Sequence, residues 1–271
     1  FFIYIFLRVT VLNFAKGSNA LIDYSFPATI PLGKRILTDL NVIVSYIRLL
    51  LFPSGLHMQS FIKPANGLFE INVILPAALI LLLAVIVRKL SRYDKIFLYS
   101  LAWFFVCLTP VLNIYPVSVF LHEMWLYLPS VGFYIFFSAF LIKILARKIP
   151  RAAVILFITL YIAFYCLSVI AYGKTWKDSI SLFNNDLKYG AVNPFRHLIY
   201  NNMAMAYYNR AEFKKSAEYC KKSILLNPGY SESYNNLGVA YIALNKPIKA
   251  IKFFKKAIIL DSDYIAAYCN L

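Results

Sequence analysis

The last third of this chain resembles itself at a spacing of 34 residues, and that internal register restricts its fold more than any other feature. In register, Tyr200, Tyr234 and Tyr268 coincide, as do Asn202, Asn236 and Asn270. So do Met203, Leu237 and Leu271, then Tyr207 and Tyr241, and finally Pro194, Pro228 and Ser262. The units are residues 197–230 and 231–264, with a third beginning at Ile265 and running to Leu271. A unit this short cannot bury an apolar face alone, so the repeats are expected to stack as a solenoid.

Residue sizes define the unit. In 231–264, Tyr234, Leu237, Gly238 and Tyr241 fall on one face of a first predicted helix, and Ala250, Phe254 and Ala257 on one face of a second. Gly238 and Ala250 are small where two antiparallel helices must approach closely, and the Tyr and Phe rings fill the space around them. The earlier unit keeps this scheme with Ala204, Ser216, Cys220 and Ser223. The pattern resembles the tetratricopeptide repeat (TPR), and the resemblance implies an array of helix pairs that binds a protein or peptide. Ser262 stands where that family usually carries a helix-ending proline. Residues 174–194 read as a degenerate preceding half-repeat, which makes 173–196 a connector. Two complete repeats are fewer than the three or so that usually make a stable solenoid. Together with an opening residue that is not Met, this predicts a fragment of a longer protein.

Before residue 173 the texture is different. Residues 71–87, 96–114, 129–145 and 152–172 each come close to the ~20 apolar residues that cross a ~30 Å hydrocarbon core as helix. Residues 1–14 look like the remainder of another span, and 36–52, interrupted by Asp39 and Arg48, form a weaker sixth. With 61% hydrophobic and only 15% charged residues, the chain lies outside the range of ordinary soluble domains. The expected fold class is all-α: a polytopic transmembrane helix bundle of about five or six helices over residues 1–172, followed by an α-solenoid of TPR helix pairs.

The cations give an orientation. Arg88, Lys89, Arg92 and Lys95 crowd one loop, and Lys143, Arg147, Lys148 and Arg151 another. The alternate segments, 53–70 and 115–128, hold one basic residue between them, Lys63. The excess of Lys and Arg on cytoplasmic loops then predicts that the repeats lie outside the cytoplasm, in the periplasm if the membrane is a bacterial inner membrane. The net charge of +16 is distributed over short loops, which favours the lipid bilayer over nucleic acid as its partner. Cys107, Cys166, Cys220 and Cys269 include no CxxC pair and do not define a redox compartment.

The sequence has no glycine-rich phosphate loop, zinc-type cluster or nucleophile elbow. The segment LHEMWLYLPSVG, residues 121–132, sets His122 and Glu123 at the outer edge of a span, ahead of Trp125 and Tyr127 at interfacial depth. Lys34 and Arg35 form a basic pair beside a span entrance on the outside, suited either to a carrier phosphate or to snorkelling. Asn202, Asn236 and Asn270 recur near the inner helix face, where they suit a peptide groove or a solvated surface equally. From Gly173 onward 14 Lys and Arg face seven Asp and Glu, an excess that either attracts an acidic segment or keeps the outer face soluble.

Pro129 and Ser130 within LYLPSVGF, a proline-containing span ending near Pro110 and Asn113, Trp176 after the last span, and the repeats that follow resemble a known family across essentially the whole chain. It is the transmembrane and TPR-containing O-mannosyltransferase family. The resemblance implies a GT-C-type membrane glycosyltransferase that moves a sugar from a polyprenyl-phosphate donor to an extracytoplasmic acceptor, the repeats binding the acceptor or a partner. It places the catalytic carboxylates in an external loop upstream of Phe1. Asp23 and Asp39 are accordingly read as a loop carboxylate and a helix-start residue. Glu123 belongs to the outer site, and Met124 replaces an arginine usual in the family. No cofactor or metal ligand set is identifiable. The alternatives are a non-catalytic membrane-anchored TPR scaffold and, third, a polysaccharide ligase or polymerase carrying repeats.

Overall fold

The computed structural model describes residues 30–57, 61–113, 121, 123–143, 149–189 and 193–271. The expected span at 1–14, Asp23, His122, Arg147 and Lys148 lie outside the described residues. The regular structure among the described residues is helical, and the chain divides into two compact units with the boundary between Ala171 and Tyr172.

The first unit contains α1 (Leu32–Leu51), α2 (Ile71–Leu90), α3 (Ile96–Leu108) and α4 (Tyr127–Lys143); α5 (Arg151–Gly173) begins in it. Among the described residues three helices are long and apolar enough to cross a membrane: α2, α4 with the 3-10 turn Glu123–Leu126 ahead of it, and α5 with the turn that follows. Their outward side chains, including Leu81, Leu160 and Leu167, are more than half exposed. A helix satisfies its own backbone, which a hydrocarbon solvent requires. The fourth expected span, 96–114, differs. Here α3 ends at Leu108 and passes into the 3-10 turn Thr109–Val111, because Pro110 has no amide to continue the ladder. Its 13 residues span roughly 20 Å, short of a ~30 Å core.

Helix α4 lies on α3 through Gly132. A Cβ there would sit 2.4 Å from the Ser100 carbonyl oxygen and 2.8 Å from the Phe104 nitrogen, so only glycine permits the approach. Phe97 and Phe136 close the flank edge to face, their centroids 5.6 Å apart.

Helix α1 is amphipathic. Val42, Tyr46, Leu49 and Leu50 join Phe104, Leu108, Leu121 and Leu126 in one apolar cluster. It stops at Leu51 because Phe52 precedes a proline and takes an extended conformation. Near its start, Thr38 Oγ1 accepts the Ala65 amide at 2.9 Å. Near its end, the hydroxyls of Tyr161 and Tyr134 donate to the Leu50 carbonyl at 2.9 and 3.2 Å, joined there by that of Tyr165. Tyr134 lies about two turns into α4 and Tyr161 about three turns into α5. Helix α1 therefore ends level with the interior of those helices, not with their tips.

The second unit contains α6 (Ser179–Tyr189), α7 (Arg196–Asn209), α8 (Phe213–Leu226), α9 (Ser231–Ala243), α10 (Pro247–Leu260) and α11 (Ile265–Asn270). Helices α7 with α8 and α9 with α10 are the two pairs expected from the repeat. Each pair turns through a left-handed residue, Ala211 at φ 60° and Asn245 at φ 58°, again 34 residues apart. The next amide returns to the preceding helix in both cases, Glu212 to Tyr207 and Lys246 to Tyr241, at 2.9 Å.

The breaks between pairs do not depend on proline. Asn193, Asn227 and Asp261 each accept the amide two residues on, at 2.9, 3.1 and 3.1 Å. This side-chain turn is shared by all three breaks, including the one where Ser262 follows. Inside the pairs Ala204, Cys220, Ala250, Phe254 and Ala257 are all but fully buried, as the size pattern predicts. The first repeat sets Ala204 with Cys220 where the second sets Gly238 with Phe254. A Cβ on Gly238 would lie 2.5 Å from the Phe254 ring.

Candidate functional sites

The first helices of the repeats carry a connected set of polar side chains. Asn201, buried on α7, is its node: Oδ1 accepts Asn236 Nδ2 at 3.0 Å and the Ser233 hydroxyl at 3.2 Å, while Nδ2 donates to Glu232 at 3.0 Å. The Tyr230 hydroxyl donates to the other oxygen of Glu232. Ser223, at the end of α8, donates to the His197 carbonyl at 2.6 Å and lies 2.7 Å from the Ser233 hydroxyl. In the next repeat Asn270 Nδ2 donates to Asn235 at 2.9 Å. Repeats are thus joined by side-chain amides as well as by apolar packing.

Burial sets the electrostatics of this network. It pushes the Tyr230 phenol well above its usual range, with the Glu232 carboxylate adding to the effect, and raises Tyr264 to about 12. The His197 ring, edge-on to Tyr230 at 5.2 Å, is held below its ordinary 6.5, chiefly by burial. The network joins amides, hydroxyls and a carboxylate through hydrogen bonds. Its chemistry is donation and acceptance of hydrogen bonds.

The three asparagines singled out by sequence occupy unequal places. Asn236 is buried and committed to Asn201, whereas Asn202 and Asn270 are exposed. Asn201, Asn235 and Ser233 were not anticipated, and Ser223 was read only for its size. A signal existed, since Asn201 and Asn235 also share the 34-residue register, but Cys269 interrupts it in the third unit. One residue along a helix is about 100° around it, which separates buried Asn201 from exposed Asn202.

A second cluster lies in the first unit. Arg35 donates to the Asn113 carbonyl at 3.1 Å, and the Asn113 amide donates to Asp39 at 3.3 Å. Asp39 is buried and lies two turns inside α1, so it is not a helix-start residue; the helix begins seven residues earlier, at Leu32. Lys34 is exposed. Glu123 accepts the His57 amide at 3.1 Å, a partner 66 residues away, and the His57 ring reaches the Gly55 carbonyl at 2.6 Å. Met124 is exposed. Two sets of polar groups from distant segments, Arg35–Asn113–Asp39 and His57–Glu123, thus meet within an otherwise apolar unit.

Comparison with known proteins bears on the second unit. The tetratricopeptide repeat family matches residues 198–230 and again 231–264. Two TPR repeats are present, and this part of the chain is a protein-interaction module. Among solved structures, one described as the first TPR of Spaghetti (RPAP3) bound to the HSP90 peptide SRMEEVD is similar. It is 23% identical, with 38% of this chain and 79% of that chain covered and a TM-score of 0.32. No curated protein matches the chain.

Proposed function

We propose that this chain is a membrane-anchored TPR protein whose first-helix face holds an extended protein or peptide segment outside the cytoplasm. The observation that carries the reading is the amide network: Asn236 is fixed by Asn201, and exposed Asn202 and Asn270 share its register on the adjoining repeats. A side-chain amide offers a donor and an acceptor together, the pair that an extended backbone needs. Anchoring is supported by the three long apolar helices, and the outside location by the loop cations. Peptides selected from a random library on the purified full-length protein test the face. Asn202→Ala with Asn270→Ala is expected to weaken their binding at least about tenfold, near 1.4 kcal/mol, with Asn202→Ala alone leaving the melting temperature unchanged. Binding unaffected by the pair would overturn it. A reporter fused after Lys174 that worked only in the cytoplasm would overturn the orientation.

A second reading is favoured by the polar cluster of the first unit. Ionisable residues within apolar segments usually mark function. Arg35, Asp39, Glu123 and His57 suit a site for the phosphate and sugar of a polyprenyl-phosphate donor, the activity implied by resemblance to the O-mannosyltransferases. Sugar transfer by the full-length protein should then fall at least about tenfold with Glu123→Gln. Absence of transfer in the intact protein would leave the scaffold as the function.

A further inference from the structure

Eight of the ten Lys and Arg in residues 197–264 lie on the second helices; Arg210 and Lys246 stand in the turns. Helix α8 carries Lys214, Lys215, Lys221 and Lys222; α10 carries Lys249, Lys252, Lys255 and Lys256 and no acidic residue. Three of these recur in register, Lys215 with Lys249, Lys221 with Lys255, and Lys222 with Lys256. Lys215 and Lys222 are paired with Glu212 and Glu218 at 2.6 and 2.7 Å. The four lysines of α10 make no ion pair with a described residue.

Large aliphatic side chains stand among them. Ile248, Lys252, Lys255 and Ile259 occupy one stripe of α10 at spacings of four, three and four residues. Ile248 is 85% and Ile259 76% exposed. In α8 the equivalent stripe ends in Leu225, which is 81% exposed although helices of the array both precede and follow α8. At the shared position of Leu225 and Ile259 the exposure is therefore a property of the repeat, whereas Lys214 and Glu218 stand in α8 where Ile248 and Lys252 stand in α10. Solubility accounts for lysines on such a surface but not for a bare aliphatic side chain that recurs beside them at positions 225 and 259, with Ile248 added on α10.

We propose that the second-helix face of the repeats is a docking surface for an anionic lipid bilayer, with Lys249, Lys252, Lys255 and Lys256 at the phosphates and Ile248, Ile259 and Leu225 entering the acyl boundary. Alternation of cations with aliphatic groups matches the layered chemistry of a membrane interface. An acidic polypeptide would use the cations and leave the aliphatics bare. The inference rests on the membrane-anchored reading, which keeps the repeats at high local concentration near a bilayer.

The test compares full-length protein in nanodiscs of phosphatidylcholine alone with discs containing about one third phosphatidylglycerol. Acetylation rates of individual lysines are read by mass spectrometry. The α10 lysines are expected to react several-fold more slowly in the anionic discs. High salt should abolish this protection, and Ile248→Ser with Ile259→Ser should reduce it at unchanged helicity. Equal rates in both discs, or protection by a soluble acidic polypeptide but not by anionic lipid, would overturn the proposal. A chain that is not retained in either disc defeats the anchoring reading instead. The soluble chain would then go to flotation with vesicles of the same anionic composition, where absence of binding defeats the docking surface.

Discussion

Both units bring two helices into close contact over a glycine, but what each glycine faces differs. Gly132 meets the backbone of α3, whereas Gly238 meets the ring of Phe254. A backbone in a helix cannot step aside; a ring can be exchanged for something smaller. The neighbouring repeat has made that exchange, with Ala204 and Cys220 at the same two positions. Helix approach is thus fixed absolutely in the first unit and by a sum of two sizes in the second.

The largest effect should come from Gly132→Val, expected to cost about 3 kcal/mol or more and to lower the melting temperature of the full-length protein in detergent. Tolerance would mean that α3 and α4 can separate. In the repeats, Phe254→Cys should cost about 3 kcal/mol and Gly238→Ala about 1–2 kcal/mol in urea unfolding. The double variant, which copies the preceding repeat, should recover about 1 kcal/mol of the sum. Strict additivity would break the comparison. Asn201→Leu should cost about 2 kcal/mol because Ser233, Asn236 and Glu232 each lose a partner.

Smaller effects sharpen it. Ala211→Gly should stabilise the first repeat by roughly 0.5–1 kcal/mol, since its φ of 60° suits glycine. Last is the pH dependence of His197, whose folded pKa lies below its ordinary 6.5. As pH falls, the unfolded chain takes up the proton first. Its contribution is therefore complete above about 6.5 and is lost progressively below that value. His197→Gln should flatten this part of the urea midpoint against pH; an unchanged slope would assign the dependence elsewhere.

The repeats were legible because helix approach is governed by side-chain size, and size recurs in register. Their joints were less so: the prolines drew attention, yet Asn193, Asn227 and Asp261 make the turn common to all three breaks. The buried network was hidden because an asparagine becomes an internal node only when the next repeat supplies its partners. In the first unit, apolar content marked α2, α4 and α5 but overran the end of α3, where one proline outweighs its apolar neighbours. Glu123 was noticed as an outer residue; its partner His57 was beyond reach, since nothing local links positions 66 residues apart. The lysine excess could be counted in the sequence, but its assignment to the second helices required the folded helix pairs.

The three tyrosine hydroxyls at the end of α1 also carry a consequence for assembly. Helix α1 is made before α4 and α5, whereas the hydroxyls that donate to the carbonyls of Leu49 and Leu50 belong to those later helices. During synthesis water, lipid headgroups or a chaperoning protein must serve the Leu50 carbonyl until Tyr134, 84 residues on, has been made, and the Leu49 carbonyl until Tyr165, 116 residues on. Helix α1 is thus finished only after helices made later than itself, and its seating reports that they are in place.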